Sequence, residues 1–180
     1  MFSPDKKEIK IVALGDSITT NFHVDRWTDI VTKKSKYKII NKGIGGETLK
    51  QMGNRLERDV IRLKPDICII LGGTNDAFYS NFDADKSMSE IDSIATRLEK
   101  VGIYPVVGVP IPIVNKKYDD RLMKLRGRIL QSRYSTINFH WEFVGIDVKG
   151  LIPDGVHPSK KGKEIMAERA IQELDRIFGE

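Results

Sequence analysis

The chain has 180 residues, of which 40% are hydrophobic and 31% are charged, proportions typical of a globular domain rather than of a disordered or fibrous protein. The formal net charge is +5 at pH 7, but the basic residues are spread along the chain, so we predict no nucleic-acid partner. No stretch approaches the about 20 apolar residues of a membrane span. Without a linker or a repeat, residues 1–180 are predicted to form a single domain.

The only cysteine, Cys68, lies inside an apolar run, where we expect a buried and unreactive thiol. The first eight residues are polar and lack the apolar stretch of a secretory signal. We therefore expect a cytoplasmic protein, or a secreted one if a signal segment has been removed.

Short apolar runs alternate along the chain with longer segments of helical periodicity. Four runs rich in Ile and Val, at residues 9–14, 37–40, 67–71 and 104–109, are typical of buried parallel strands. A fifth segment, 137–143, alternates apolar and polar residues, which predicts a half-exposed strand near an edge of the sheet.

Capping patterns mark the start of two helices, Thr48 with Gln51 and Ser87 with Glu90, since each pair places an acceptor three residues after a hydroxyl. Apolar periodicity predicts two further helices, one following residue 120 and the last beginning near Ser159. Strands that alternate with helices throughout predict the α/β class, with helices on both faces of a parallel sheet.

Loops that leave the carboxyl ends of parallel strands collect functional side chains. Ser17 follows the first apolar run, Gly46 the second and Asn75 the third, while Asp154 and His157 stand just before the last helix. We expect all five residues to face one rim of the sheet.

These residue types suit acyl transfer. The serine hydroxyl of Ser17 needs a base to remove its proton, and His157 is the candidate because the reference pKa of histidine is about 6.5. Asp154 is close enough in sequence to hold the imidazole in one tautomer. The N–H groups of Ser17 and Gly46 and the side-chain amide of Asn75 would then stabilise an oxyanion.

The same loops resemble the four blocks of the GDSL, or SGNH, hydrolase family, whose blocks carry Ser, Gly, Asn and His. Residues 15–17 (GDS) are similar to the first block and contain Ser17, residues 41–48 to the second with Gly46, residues 73–76 (GTND) to the third with Asn75, and residues 154–157 (DGVH) to the fourth. The first block reads GDSIT rather than GDSL. The resemblance runs in the family's order over nearly the whole chain.

This resemblance implies a flavodoxin-like three-layer α/β/α sandwich around a five-stranded, mainly parallel sheet. It also implies serine-dependent hydrolysis of a small-molecule carboxylic ester through an acyl-enzyme intermediate, with Ser17, Asp154 and His157 as catalytic residues. No cofactor and no metal ion is implied.

Two other functions fit parts of the pattern. The loop at residues 15–19 could hold the phosphate of a small ligand at a helix N-terminus, although neither a Walker A motif nor GxGxxG is present. Alternatively, Asp16, Asp76 and Asp154 could hold the metal ion of a phosphatase.

We expect a modest acyl pocket lined by Phe78, Tyr79 and Ile111, since these side chains follow the third and fourth strands. His140 is expected to be solvated on the polar side of the fifth strand, and His23 lacks the spaced partners of a metal ligand. The identity of the ester and the oligomeric state are left open.

Overall fold

The structure, a computed structural model, describes residues 9–20, 25–145 and 148–179, and His23 lies outside them. The described residues form one sheet of five strands, β1 (Lys10–Gly15), β2 (Lys38–Gly43), β3 (Ile67–Leu71), β4 (Tyr104–Val109) and β5 (Ser135–Asn138). Every neighbouring pair is parallel. The order β2-β1-β3-β4-β5 is that of the flavodoxin-like doubly wound fold.

The α-helices of the described residues are α1 (Ser17–Thr20), α2 (Trp27–Lys34), α3 (Leu49–Asn54), α4 (Leu56–Asp59), α5 (Thr74–Phe78), α6 (Ala84–Glu99), α7 (Lys116–Leu130), α8 (Val148–Leu151) and α9 (Lys160–Phe178). Short 3₁₀ turns occupy Ile61–Leu63 and Trp141–Phe143. None of the helices in this described part is long and apolar enough to cross a membrane.

The sheet is buried on both faces because its side chains alternate between two cores. Along β3, Ile69 packs with α2 and α9 on one face, whereas Cys68 and Ile70 pack with α3, α6 and α7 on the other. The predicted α/β/α sandwich is therefore confirmed, and the described sheet is parallel throughout. Burial raises the pKa of the Cys68 thiol to about 12, which agrees with an unreactive side chain.

The fifth predicted strand is wrong beyond residue 138. β5 ends at Asn138, and a 3₁₀ turn follows in which Phe143 is buried and Trp141 is 64% exposed. Phe139 is also buried, four residues before Phe143, so the apolar spacing reflected a turn packing on the core rather than strand alternation. His140 is half-buried in this turn rather than solvated on a strand, and that burial lowers its pKa.

Two helix starts are confirmed and two are wrong. Thr48 accepts the N–H of Gln51, and Ser159 accepts that of Gly162. Helix α6, however, begins before Ser87, because the Asp83 carboxylate caps it by accepting two backbone N–H groups. Aspartate is as good an N-cap as serine, and Ser87 lies buried inside the helix. Helix α7 begins at Lys116 rather than after residue 120, because the Asn115 side chain caps it by accepting the N–H of Lys117.

The register of the strands sets the position of the functional loops. Gly15, at the end of β1, pairs with Gly43 of β2 and with Leu71 of β3. The loops that follow these three strands therefore leave the sheet at the same rim. Glycine is required at residue 15, because a Cβ there would collide with the Thr19 side chain.

The turn after β5 can be tested by a pair of substitutions. In an alternating strand, residues 141 and 143 would be buried alike, but here only Phe143 is. We expect Phe143→Ala to lower the free energy of unfolding by about 3–5 kcal/mol and Trp141→Ala to change it by less than about 1 kcal/mol. Urea denaturation of both variants measures this, and equal losses would contradict the placement.

Candidate active site

The position of Ser17 is fixed by the residue before it. Asp16 is fully buried, its backbone carbonyl accepts the N–H groups of Thr19 and Thr20, and its carboxylate accepts that of Ile18 at 2.9 Å. This turn begins α1 immediately after β1 and leaves Ser17 half-buried at the rim. Asp16 therefore shapes the turn that presents the hydroxyl.

Ser17, His157 and Asp154 form one hydrogen-bonded series. The Nε2 atom of His157 lies 2.9 Å from Ser17 Oγ, and its Nδ1 atom lies 2.7 Å from Asp154 Oδ2. The side chains of His157 and Asp154 are 40% and 56% exposed, so the series is open to a ligand from solvent. The structure thus brings together the three residues that the sequence places at opposite ends of the chain.

The Asp154 carboxylate is held by its own loop. Burial alone would raise its pKa, but the backbone N–H groups of His157 and Val156 and the His157 side chain together lower the pKa of Asp154 to about 2. Asp154 is therefore ionised at neutral pH. An ionised carboxylate accepts a hydrogen bond from Nδ1–H, and the tautomer that this selects directs the Nε2 lone pair at the hydroxyl.

The β4–α7 loop is hydrogen-bonded to the segment that carries Asp154 and His157. Gly155 has a φ of +87°, a left-handed conformation that glycine adopts without a steric penalty. Its carbonyl accepts the N–H of Val114, from the β4–α7 loop, at 2.9 Å. The segment that carries His157 is thereby bonded to the β4–α7 loop.

Asn75 links the loop that contains Gly46 to the turn that contains Ser17. Gly46 is exposed with a φ of +79°, and the Nδ2 atom of Asn75 donates to the carbonyl of the next residue, Glu47, at 2.9 Å. The same Nδ2 atom lies 3.4 Å from Asp16 Oδ2. The three loops that carry the predicted oxyanion donors are therefore adjacent, while the role of each donor stays a prediction.

The two alternative functions gain no support from the side chains involved. Asp76 accepts the N–H of Leu49 at 3.1 Å, and Asp16 and Asp154 are occupied as described above. Within residues 9–20, 25–145 and 148–179, no group of three His, Cys, Asp or Glu side chains is arranged to hold a metal ion. The Asp16 carboxylate also covers the start of α1, where a phosphate would have to bind.

The three side chains of the predicted acyl pocket lie in different surroundings. Ile111 is 1% exposed because it packs in the core beside α2, so it presents no surface to a substrate. The prediction that Ile111 lines an acyl pocket is therefore wrong. Phe78 packs edge-on against Tyr118, with ring centroids 4.7 Å apart. Tyr79, by contrast, is 57% exposed and lines a surface cavity of about 330 Å³ together with Phe82.

Two arginines at the rim are buried, and no sequence pattern predicts their burial. Arg126 donates to the carbonyls of Pro110 and Ile111 and to Asp119, and it thereby fixes the loop after β4. Arg55 fixes the loops after β1 and β2. Arginine is usually exposed on a helix, and only the fold shows which ones are enclosed.

Comparison with known proteins agrees with this architecture. Relatives include the lipoprotein YqeF of Bacillus subtilis, 29% identical over 58% of the chain, and an acetylxylan esterase of Geobacillus stearothermophilus, 25% identical over 76%. The matches span 49% and 72% of those proteins, so the chain covers about half the length of YqeF. A solved GDSL-like lipase from Bacteroides thetaiotaomicron superposes with a TM-score of 0.80 at 26% identity, covering 99% of this chain and 93% of that one.

The doubly wound sheet carries a hydroxyl–imidazole–carboxylate series at its rim, an arrangement of the α/β class that suits acyl transfer. The profile of the GDSL-like lipase/acylhydrolase family matches residues 13–165. The chain belongs to the GDSL-like lipase/acylhydrolase family.

The buried Asp16 should make stability depend on pH. Burial, opposed by the Ile18 N–H and reinforced by Asp76, raises its pKa from 3.8 to about 7. Between these values the folded protein keeps a proton that the unfolded chain has released, so this group's contribution to stability falls as pH rises from about 4 to about 7.

Asp16→Asn removes that ionisation while keeping a side-chain oxygen for Ile18. We therefore expect the stability of this variant relative to wild type to increase across the same pH interval. Urea denaturation of both proteins at a series of pH values measures the difference. Stability curves that stay parallel from pH 4 to 8 would contradict it.

Proposed function

We propose that this protein hydrolyses small-molecule carboxylic esters through an acyl-enzyme intermediate, with Ser17 as nucleophile, His157 as general base and Asp154 as the residue that orients the imidazole. The observation that carries the proposal is the 2.9 Å contact between His157 Nε2 and Ser17 Oγ. Family membership and the similarity to an acetylxylan esterase support ester hydrolysis as the reaction.

In the first half of the reaction, Ser17 Oγ attacks the ester carbonyl carbon while His157 Nε2 takes the hydroxyl proton. The proton then passes from His157 to the departing alkoxide oxygen as the carbon–oxygen bond of the ester breaks. The ionised Asp154 stabilises the imidazolium that exists between these two transfers.

In the second half, His157 takes a proton from a water molecule, whose oxygen attacks the acyl carbon. Collapse of the second tetrahedral intermediate breaks the bond to Ser17 Oγ, and His157 returns the proton to that oxygen. The carboxylic acid leaves and the starting state is restored.

Both tetrahedral intermediates carry a negative oxygen that needs donors fixed in advance. The N–H groups of Ser17 and Gly46 and the amide of Asn75 are the proposed donors. Asn75 Nδ2 is already held by Glu47 and faces Asp16 at the longer distance of 3.4 Å. The weaker of these two contacts is the one that a substrate oxyanion replaces most readily.

Substitution of the nucleophile tests the reaction class. We expect Ser17→Ala and His157→Ala to remove nearly all hydrolysis of p-nitrophenyl acetate, because either change breaks the proton transfer. A fluorophosphonate probe should label wild type at Ser17 but not the Ser17→Ala variant. Ser89→Ala, which removes an exposed serine on α6, is the matched control and should behave like wild type.

The same assays distinguish the alternatives. Turnover that survives in a pure Ser17→Ala preparation would defeat the proposal. Phosphate-ester hydrolysis that EDTA abolishes would favour the metal-dependent phosphatase, and the absence of both turnover and labelling would favour a binding module.

Substitution of Asn75 tests the oxyanion donors. We expect Asn75→Ala to lower kcat by about 100- to 1,000-fold, the usual cost of removing one donor, with a smaller effect on KM. Asn54→Ala, at an exposed position on α3, is the control. Steady-state kinetics measure both variants, and a loss of kcat below about threefold would remove Asn75 from the oxyanion hole.

A further inference from the structure

Arg55 is enclosed at the break between α3 and α4, where its side chain is only 6% exposed. Its guanidinium donates to the Glu47 carboxylate at 2.6 Å, to the carbonyls of Lys42 and Gly15, both at 2.9 Å, and to Asp59 at 3.0 Å. A planar guanidinium presents its donors in fixed directions. These four acceptors are therefore held in one arrangement.

Three of the acceptors belong to segments that carry the proposed chemistry. Gly15 ends β1 two residues before Ser17, Lys42 lies near the end of β2, and Glu47 directly follows Gly46. The backbone of Glu47 in turn accepts the Asn75 amide. Arg55 thus bonds directly to the segments that carry the Ser17 and Gly46 donors, and it is linked to the Asn75 donor through Glu47.

The charges around Arg55 are balanced. Glu47 and Asp59 are its two carboxylate partners, and Asp59 also pairs with Arg58 at 2.7 Å. The Arg58 bond, opposed by burial and assisted by Arg55, lowers the pKa of Asp59 to about 2, so the ion pairs of Asp59 persist over the neutral pH range. A buried ion pair of this kind adds little stability over an apolar group but orients its partners strongly.

We propose that Arg55 is a positioning residue for the oxyanion hole, fixing the separation of the Ser17, Gly46 and Asn75 donors through Gly15, Lys42 and Glu47. The inference rests on the proposed function. Donors displaced by a fraction of an ångström bind the transition state less well while a neutral ester binds almost as before. The loss should therefore appear in kcat rather than in KM.

The experiment compares Arg55→Met, Arg55→Lys and Glu47→Gln with a matched control, Arg58→Met. Arg58 lies on the same short helix and pairs with the same Asp59, but its side chain is 67% exposed and its hydrogen bonds do not reach Gly15, Lys42 or Glu47. Each variant is measured for kcat and KM with p-nitrophenyl acetate and for the affinity of a boronic acid that mimics the tetrahedral intermediate. Circular dichroism and thermal unfolding establish that each variant is folded.

We expect Arg55→Met to lower kcat by about 10- to 100-fold, with KM within threefold of wild type and with weaker boronic-acid binding in proportion. Arg55→Lys should recover only part of the loss, because an ammonium cannot reach all four acceptors. Glu47→Gln should lower kcat in the same direction, and Arg58→Met should match wild type.

A folded Arg55→Met variant that keeps kcat within threefold of wild type would overturn the proposal. If that variant does not fold, Glu47→Gln decides, and unchanged kcat there would overturn it equally. An equal loss in Arg58→Met would show a general effect of the ion pairs instead of positioning. Failure of the proposed function is distinct, since wild type and Arg58→Met would then lack turnover that depends on Ser17.

Discussion

The contact between Ser17 Oγ and His157 Nε2 joins residues 140 positions apart, and the rest of the architecture can be understood as what makes that contact possible. Closing so long a loop costs conformational entropy, which a single hydrogen bond does not repay. The closure is stabilised instead by the packing of α9 with α2 against the sheet, on the face where Trp27 and Leu174 are buried. The geometry of the proposed catalytic residues therefore depends on the packing of the last helix in the core.

The surroundings of two aspartates at the rim shift their pKa values in opposite directions, although the sequence alone does not distinguish them. Asp16 is fully buried, and burial raises its pKa to about 7. Asp154 is exposed on one side and accepts two N–H groups and the imidazole, which lower its pKa to about 2. The ionised Asp154 can stabilise an imidazolium, whereas a charge on Asp16, which burial disfavours, would oppose an oxyanion forming next to Ser17. The opposite shifts thus suit a structural role for Asp16 and an orienting role for Asp154.

The sequence predicts this fold well where the signal is local. β3 and β4 match their predicted bounds, because fully buried parallel strands appear as continuous apolar runs. The segment after β5 is mispredicted because Phe139 and Phe143 satisfy a strand and a helical turn equally well. The site loops are predictable for the same local reason, since each is a short motif following a strand. Ile111 shows the limit: its place after β4 is clear from the sequence, but whether it faces a ligand or the core depends on helix packing.

What local patterns cannot supply is the network that aligns the loops with one another. Arg55 reaches Gly15 across 40 residues, and Arg126 reaches Pro110 across 16, and in both cases the acceptor is a backbone carbonyl that has no residue-specific signature. These carbonyls lie at or just beyond the ends of strands, where a side-chain donor adds to the backbone hydrogen bonds. The Gly15 carbonyl, for example, accepts both Arg55 and the N–H of Ile44. Each of these two guanidinium groups donates to two carbonyls at once. The four motifs therefore specify which groups meet at the rim, and the buried arginines specify how far apart these groups stand.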